Sequence, residues 1–98
     1  LLEETRRTLQ SIGSSIHIQV FVTPTCPYCP GATSMAHKFA LESTMISADM
    51  VEITEFPHLA QKYEVMSVPK IVVNETKQHI GALPEGNFVE MITEAAKK

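Results

Sequence analysis

Apolar residues alternate with other residues along the segment Ile16–Val22, where every second position carries isoleucine or valine. This period of two predicts a β-strand with one strongly apolar face. Residues 50–53 and 71–73 are short apolar runs that predict two more strands, and the β-branched run at 71–73 is typical of a central strand. Residues 74–77 form a polar turn, so residues 78–80 are expected to return as the hairpin partner of 71–73.

Four other segments space their apolar residues at the period of a helix. They are residues 1–12, residues 27–42 approximately, a short segment that begins at Pro57 and a last segment that begins at Pro84. The buried positions expected in the second and last helices are Ala32, Met35, Ala36 and Phe39, then Phe88, Ile92 and Ala95.

The order of these elements predicts an α/β fold in a single domain, residues 1–98. A leading helix is followed by a β-α-β unit, another helix and a β-β-α unit. The first two strands should be parallel with a right-handed crossover, and the hairpin should add two antiparallel strands. We therefore expect a four-stranded mixed sheet with helices on both faces. Residues 16–96 would form the core of the domain, and residues 1–13 could also link it to a preceding domain.

Charge and composition exclude several classes of function. The net charge of −3 gives no support to a nucleic acid or an anionic membrane as a partner. No apolar run approaches the roughly 20 residues that span a bilayer. Leu1–Glu4 does not resemble the start of a signal peptide, and a lone cysteine pair without one predicts a cytoplasmic redox protein. The chain does not begin with methionine, which suggests a processed product or a piece of a longer protein.

The two cysteines of the chain lie three positions apart, in Cys26-Pro27-Tyr28-Cys29, between a predicted strand and a predicted helix. A free thiol has a pKa of about 8.5, which a CxxC at a helix N-terminus can lower to roughly 3.5–7.5. Cys26 is therefore predicted to be the attacking thiolate and Cys29 the resolving thiol, with a disulfide between them in the oxidised state. Pro27 suits the first helical position, whereas Pro30 is expected to cost a helical hydrogen bond.

Two other roles are open to the cysteine pair. It could be half of a zinc site, completed by histidines, although the chain has no second CxxC and no closely spaced histidine pair. It could also be a purely structural disulfide, although so short a loop gains little from closure. The redox role is favoured, and no metal is expected. The candidate zinc ligands are His17, His37, His58 and His79.

The CPYC motif after a strand, with Ser67-Val68-Pro69 about forty residues later, resembles the thioredoxin/glutaredoxin superfamily. The closest likeness is to the C-terminal half of the glutaredoxin-like protein disulfide oxidoreductases, which join two thioredoxin folds in one chain. This likeness covers approximately residues 1–96. It is carried by residues 23–30, 35–40, 65–72 and 81–82.

The resemblance implies a thioredoxin-like fold and a dithiol–disulfide oxidoreductase that acts on protein disulfides. It also implies a cis Val68-Pro69 bond that faces the CxxC, so that the backbone of Val68 can pair with an extended substrate segment. Pro69 could instead be a strand-entry proline. Gly81 would lie in the same groove, or it is a plain turn glycine. Pro27 and Tyr28, which lie between the cysteines and tune the redox poise, are expected to contact the substrate, although Tyr28 could instead simply cover the disulfide.

The resemblance further implies an upstream electron donor similar to thioredoxin reductase, and a second thioredoxin-fold domain as a partner. No cofactor is expected beyond the redox-active disulfide. The alternative is a non-catalytic thioredoxin-like module that docks partners or binds metal. The leading helix, residues 1–12, could stabilise an isolated domain or leave an exposed apolar patch where a second domain docked, and such a patch is expected on the face away from Cys26.

Two positions depart from the family pattern. Thioredoxins bury an aspartate six positions before the first cysteine as a proton acceptor, and this chain has Val20 there. Glu52 is a candidate replacement, although a solvated carboxylate at a strand edge is the preferred interpretation. The segment Ala82–Glu85 lacks the polar character with which glutaredoxins bind glutathione, which argues against strong glutathione specificity.

Overall fold

The computed structural model describes residues 3–75 and 77–96. Leu2, which belongs to the predicted leading helix, lies outside the described residues. Four helices and four strands follow one another in the predicted order. They are α1 (Glu3–Gln10), β1 (Ile16–Val22), α2 (Cys29–Glu42), β2 (Ile46–Glu52), α3 (Pro57–Lys62), β3 (Lys70–Val73), β4 (Lys77–Ile80) and α4 (Glu85–Ala96).

The strands form a four-stranded mixed sheet in the order β2-β1-β3-β4. β1 runs parallel to β2 and antiparallel to β3, and β3 forms an antiparallel hairpin with β4. All four residues of β3 are buried, as expected for a central strand. The predicted four-stranded mixed sheet, with its parallel pair and its antiparallel hairpin, is therefore confirmed.

One face of the sheet carries the larger part of the core, together with α1, α2 and α4. Phe39 of α2 and Phe88 of α4 meet there edge to face, with ring centroids 4.9 Å apart, and both side chains are fully buried. Leu9 of α1 is also fully buried in this cluster. The leading helix is further joined to α4 by a hydrogen bond from the Thr5 hydroxyl to the Glu85 carboxylate, at 2.6 Å. It therefore packs as part of the domain.

The opposite face of the sheet is covered by α3 and the segment after it. Phe21 of β1 packs there against Tyr63, with ring centroids 5.4 Å apart, and Val51 and Val72 complete the cluster. Successive residues of a strand point to opposite faces, so Phe21 lies opposite the isoleucines and valines of β1. The prediction that β1 has one strongly apolar face is thus incomplete, because even Gln19 on the second face is buried.

Among the described residues, two elements begin more than one residue away from their predicted starts. α2 begins at Cys29 and not at Pro27, because the preceding turn continues to Cys26, whose N–H donates to the Thr23 carbonyl at 3.3 Å. Pro30 is consequently the second helical residue. The N–H groups of the first turn have no acceptor within the helix, so a proline there removes no hydrogen bond and the expected cost does not arise.

β2 begins at Ile46, four residues before the predicted strand. It is an edge strand that pairs only with β1, and Ser47, Asp49 and Met50 are exposed. Such a strand does not show the continuous apolar run that marks a central strand, so its first half is not visible in the pattern.

An ion pair and a hydrogen bond join the C-terminal end of α3 to the turn between β3 and β4. Glu75 accepts hydrogen bonds from the Tyr63 hydroxyl at 2.7 Å and from the Lys62 ammonium at 3.1 Å. These two donors, the tyrosine first, lower the pKa of Glu75 below its ordinary value of 4.5. The carboxyl group of Glu75 therefore binds its proton less tightly in the native state than in the unfolded chain.

We expect Glu75→Gln to weaken the dependence of stability on pH. The contribution of Glu75 is present at neutral pH and is lost as the pH falls below about 4.5. The wild-type protein should accordingly lose more stability than the variant between about pH 6 and pH 3. Urea denaturation at both pH values measures this, with Glu55→Gln, at an exposed position, as the control. Equal losses of stability in the wild type and in Glu75→Gln would show that Glu75 does not make this pH-dependent contribution.

Candidate active site

Cys26 and Cys29 form a disulfide at the junction of β1 and α2. β1 ends at Val22, the turn from Thr23 brings the chain to Cys26, and α2 begins at Cys29. The two Cα atoms are 5.4 Å apart, which lies within the usual range for a disulfide. The sulfur of Cys26 is thereby bonded to the first residue of a helix and lies at its N-terminal end. Unpaired backbone N–H groups and a partial positive charge at this end favour a thiolate.

The two cysteines differ in accessibility. Cys29 is only 3% exposed and belongs to the core on the α2 face, whereas Cys26 is half-buried and packs against the edge of that core. An incoming sulfur can therefore reach Cys26 more easily than Cys29. Pro27 between them is exposed, and the Tyr28 ring is 70% exposed. A side chain so exposed remains available to a bound molecule.

Val68, Pro69 and Gly81 form a second group of predicted site residues. The Val68-Pro69 peptide bond is cis, as the resemblance implies. Pro69 is fully buried, and its carbonyl accepts a hydrogen bond from the Gly81 N–H at 2.7 Å. Val68 is half-buried and packs against the same core that contains Cys29. The structure thus brings Pro69 and Gly81 into direct contact and connects Val68 with the cysteines through the core.

Gly81 has a φ of +99°, a backbone conformation that residues with a side chain rarely adopt. A Cβ built at this position would meet no heavy atom within 4 Å. The backbone conformation is therefore sufficient to explain the glycine, while the open space around it leaves room for a bound segment.

A cavity of about 760 Å³ lies beside the disulfide, on the side of α2 and β2. Its wall includes both cysteines together with Leu41 and Met50, which are 87% and 54% exposed. Thr33 also lies on this wall, and its hydroxyl is buried without a hydrogen-bond partner in the described residues. Apolar surface thus continues from Cys26 along α2, whereas the apolar patch expected on the face away from Cys26 stays a prediction.

The sequence pattern did not identify this cavity. The only signal was Leu41, an apolar residue outside the buried stripe of α2. Leu41 and Met50 come from neighbouring elements, and only the packing of α2 against β2 brings them to one wall.

Glu52, the candidate proton acceptor, lies on the same cavity wall as Cys29, at the end of β2. Its carboxylate accepts hydrogen bonds from the hydroxyl and the backbone N–H of Thr54, which lower the pKa of Glu52. A lowered pKa makes a carboxylate a weaker base, whereas an aspartate buried away from water has a raised one. Glu52 is therefore a hydrogen-bonded carboxylate at the strand edge, and Val20 is simply a core residue.

The four histidines do not gather around the cysteines. Within residues 3–75 and 77–96, no group of three or more His, Cys, Asp or Glu side chains could hold a metal ion. His17 instead contacts the Asp49 carboxylate at 2.7 Å across β1 and β2. His37 lies on the cavity wall but is exposed. None of the helices in the described ranges is both long and apolar enough to cross a membrane.

Comparison with known proteins gives consistent matches. The sequence model of the thioredoxin domain matches residues 16–94. A thioredoxin of Methanocaldococcus jannaschii is 34% identical over 80 residues, which cover 81% of this chain and 94% of that protein. The structure is also similar to a protein disulfide oxidoreductase from Aeropyrum pernix, with a TM-score of 0.94 and 38% identity over 99% of this chain.

The alkylhydroperoxide reductase AhpF from Enterococcus faecalis is a further structural relative, with a TM-score of 0.87 and 25% identity over 94% of this chain. The chain spans 44% of this protein and 44% of the Aeropyrum pernix oxidoreductase. It thus corresponds to less than half of either longer protein, although it matches nearly the whole of the archaeal thioredoxin. The match over most of its length shows that this chain belongs to the thioredoxin domain family, in which its Cys26–Cys29 pair makes it a dithiol–disulfide oxidoreductase.

Proposed function

We propose that this protein reduces disulfides of other proteins, with Cys26 as the nucleophile and Cys29 as the resolving thiol. The observation that carries the proposal is the unequal exposure of the two sulfurs at the start of α2. The half-buried Cys26 can be reached from solvent, and the 3% exposed Cys29 is placed to attack only its neighbour. The positive end of the helix stabilises the thiolate that begins the reaction.

The reaction proceeds in two exchanges. The Cys26 thiolate attacks one sulfur of the substrate disulfide, a mixed disulfide forms, and the other substrate sulfur leaves as a thiolate. Cys29 loses its proton and attacks the Cys26 sulfur, which restores the Cys26–Cys29 disulfide and releases the second substrate sulfur. Two electrons pass from the protein to the substrate. A dithiol donor similar to thioredoxin reductase would return the protein to its reduced form, and no cofactor other than the cysteines is needed.

The substrate would be an extended polypeptide segment around a disulfide. In this proposal the backbone of Val68 pairs with that segment, Pro69 and Gly81 form the ledge beneath it, and Pro27 and Tyr28 contact it from the other side. The apolar cavity next to the cysteines supports a protein substrate, since protein segments bring apolar side chains and glutathione brings mainly charged groups. It stays a prediction that this chain is the C-terminal half of a protein with a second thioredoxin-fold domain. It also stays a prediction that the protein is cytoplasmic.

The test compares two disulfide substrates. The reduced 98-residue chain, with dithiothreitol as the electron source, is expected to reduce insulin with a kcat/KM at least about tenfold higher than that for oxidised glutathione. A chain that reduces neither substrate would refute the proposal. In that case, stoichiometric zinc retained after purification under reducing conditions would instead identify a metal-binding module.

A further inference from the structure

Lys70 is a buried lysine that the exchange of disulfides does not use. It is the first residue of β3, directly after Pro69, and it is 5% exposed. Among residues 3–75 and 77–96, no other Lys, Arg, Asp or Glu is buried to this degree. An ammonium group that leaves water must find strong acceptors inside the protein. The acceptors of Lys70 therefore indicate what its burial achieves.

The acceptors lie at the C-terminal end of α3. This helix ends in a Schellman motif, in which Glu64 has a φ of +52°. The Val65 N–H donates to the Ala60 carbonyl at 2.9 Å, and the Glu64 N–H donates to the Gln61 carbonyl at 3.2 Å. The motif thereby satisfies the carbonyls of Ala60 and Gln61, but not those of Tyr63 and Glu64, the two residues that follow the helix.

The Lys70 ammonium binds the carbonyls of Tyr63 and Glu64. Its Nζ donates a hydrogen bond to the Tyr63 carbonyl and lies 3.5 Å from the Glu64 carbonyl, a weaker contact. The carboxyl end of a helix carries a partial negative charge, which favours a cation at this place. In the described part of the chain Lys70 has no carboxylate partner. Its positive charge thus serves to hold the end of α3 against the start of β3.

This contact closes a short loop, residues 65–69, which contains Val68 and Pro69. The middle of the loop makes little packing contact, since Met66 is 88% exposed and Ser67 is exposed too, whereas Val65, Val68 and Pro69 at its two ends pack against the protein. One end of the loop is fixed by the Gly81 N–H, which donates to the Pro69 carbonyl at 2.7 Å. The other end is held by Lys70, whose side chain returns to the residues just before the loop.

We propose that Lys70 is a positioning residue, which holds the 65–69 loop in place and thereby sets the affinity for polypeptide disulfides. This inference rests on the proposed function, because it takes the backbone of Val68 as part of the surface that binds the substrate. A small disulfide needs only the Cys26 sulfur and should not depend on the loop. The two kinds of substrate therefore separate a positioning role from a general effect on the redox pair.

The experiment uses Lys70→Met, which keeps an unbranched apolar stem but cannot donate hydrogen bonds. Lys62→Met is the matched control, because Lys62 also lies at the end of α3 but makes an exposed ion pair with Glu75. For Lys70→Met we expect a KM for insulin that rises about tenfold with little change in kcat, since two acceptors of a charged donor are left unpaired. The rate of the reduced protein with the small disulfide dithiobis(nitrobenzoate) should stay within about twofold of the wild type. Lys62→Met should match the wild type with both substrates.

Amide hydrogen exchange provides a second measurement. In Lys70→Met the amides of residues 65–68 should exchange faster, while those of β3 keep the wild-type rate. An unchanged KM for insulin, or a parallel loss with both disulfides, would overturn the proposal. Faster exchange throughout the protein, or a variant that does not fold, would also overturn it in favour of a purely structural role. A wild-type chain that reduces dithiobis(nitrobenzoate) but not insulin would refute the proposed function itself, whatever the variants do.

Discussion

Cys26→Ser is expected to abolish the reduction of insulin, by on the order of a thousandfold or more, as is usual when a covalent nucleophile is lost. The serine hydroxyl is not ionised at neutral pH, so no nucleophile remains at the accessible position at the start of α2. Cys29 cannot take over, because it is only 3% exposed and lies in the core. The measurement is insulin turnover with dithiothreitol, corrected for the rate of dithiothreitol alone.

Cys29→Ser tests the other half of the mechanism. Its Cys26 can still attack, but the mixed disulfide can no longer be resolved from within the protein. We expect one equivalent of a disulfide-containing peptide to stay attached to Cys26, as seen by mass spectrometry, while turnover is lost. Thr25 is exposed and lies next to Cys26, and Thr25→Ser should match the wild type both in insulin turnover and in attachment of the peptide. Attachment of the peptide to Cys29 in the Cys26→Ser variant would reverse the two roles.

The fold could be predicted from sequence wherever burial on one face imposes a regular pattern. β1 was predicted with its observed bounds, because its isoleucines and valines line the larger core. The edge strand β2 was predicted only in part, since exposed Ser47 and Asp49 interrupt its apolar pattern. The start of α2 was predicted two residues early, at Pro27. A proline is compatible with the first or the second position of a helix, so the sequence alone does not decide whether Pro27 or Pro30 lies in the first turn. The turn closed by the Cys26 N–H decides it, because it ends before the helix begins.

The site was predictable to the extent that its chemistry lies in one short segment. The cysteines are three residues apart, so spacing alone brings them together. The cavity beside them depends on Leu41 and Met50, whose proximity results from the packing of a helix on a strand. Lys70 was missed for a different reason. A lysine is ordinarily exposed, and only the free carbonyls after α3 make its burial favourable.

Phe39→Ala is expected to lower the free energy of unfolding by about 3–5 kcal/mol, the usual cost of removing a fully buried phenylalanine. Phe39 is fully buried between α2 and the sheet, where its ring meets that of Phe88 edge to face. A domain of this size is stable by about 5–15 kcal/mol, so this one change removes a large part of the total. The measurement is urea denaturation of the oxidised protein, so that the Cys26–Cys29 disulfide is present in both states.

The same helix supplies the matched control. Leu41 lies two residues further along α2 but is 87% exposed, so Leu41→Ala should change the free energy of unfolding by no more than about 0.5 kcal/mol. A double-mutant cycle of Phe39→Ala with Phe88→Ala should give a coupling of about 0.5–1.5 kcal/mol for the ring contact. Equal effects of Phe39→Ala and Leu41→Ala would contradict the orientation of α2. That orientation also sets which cysteine faces solvent, because the inner face of α2 that buries Phe39 also buries Cys29.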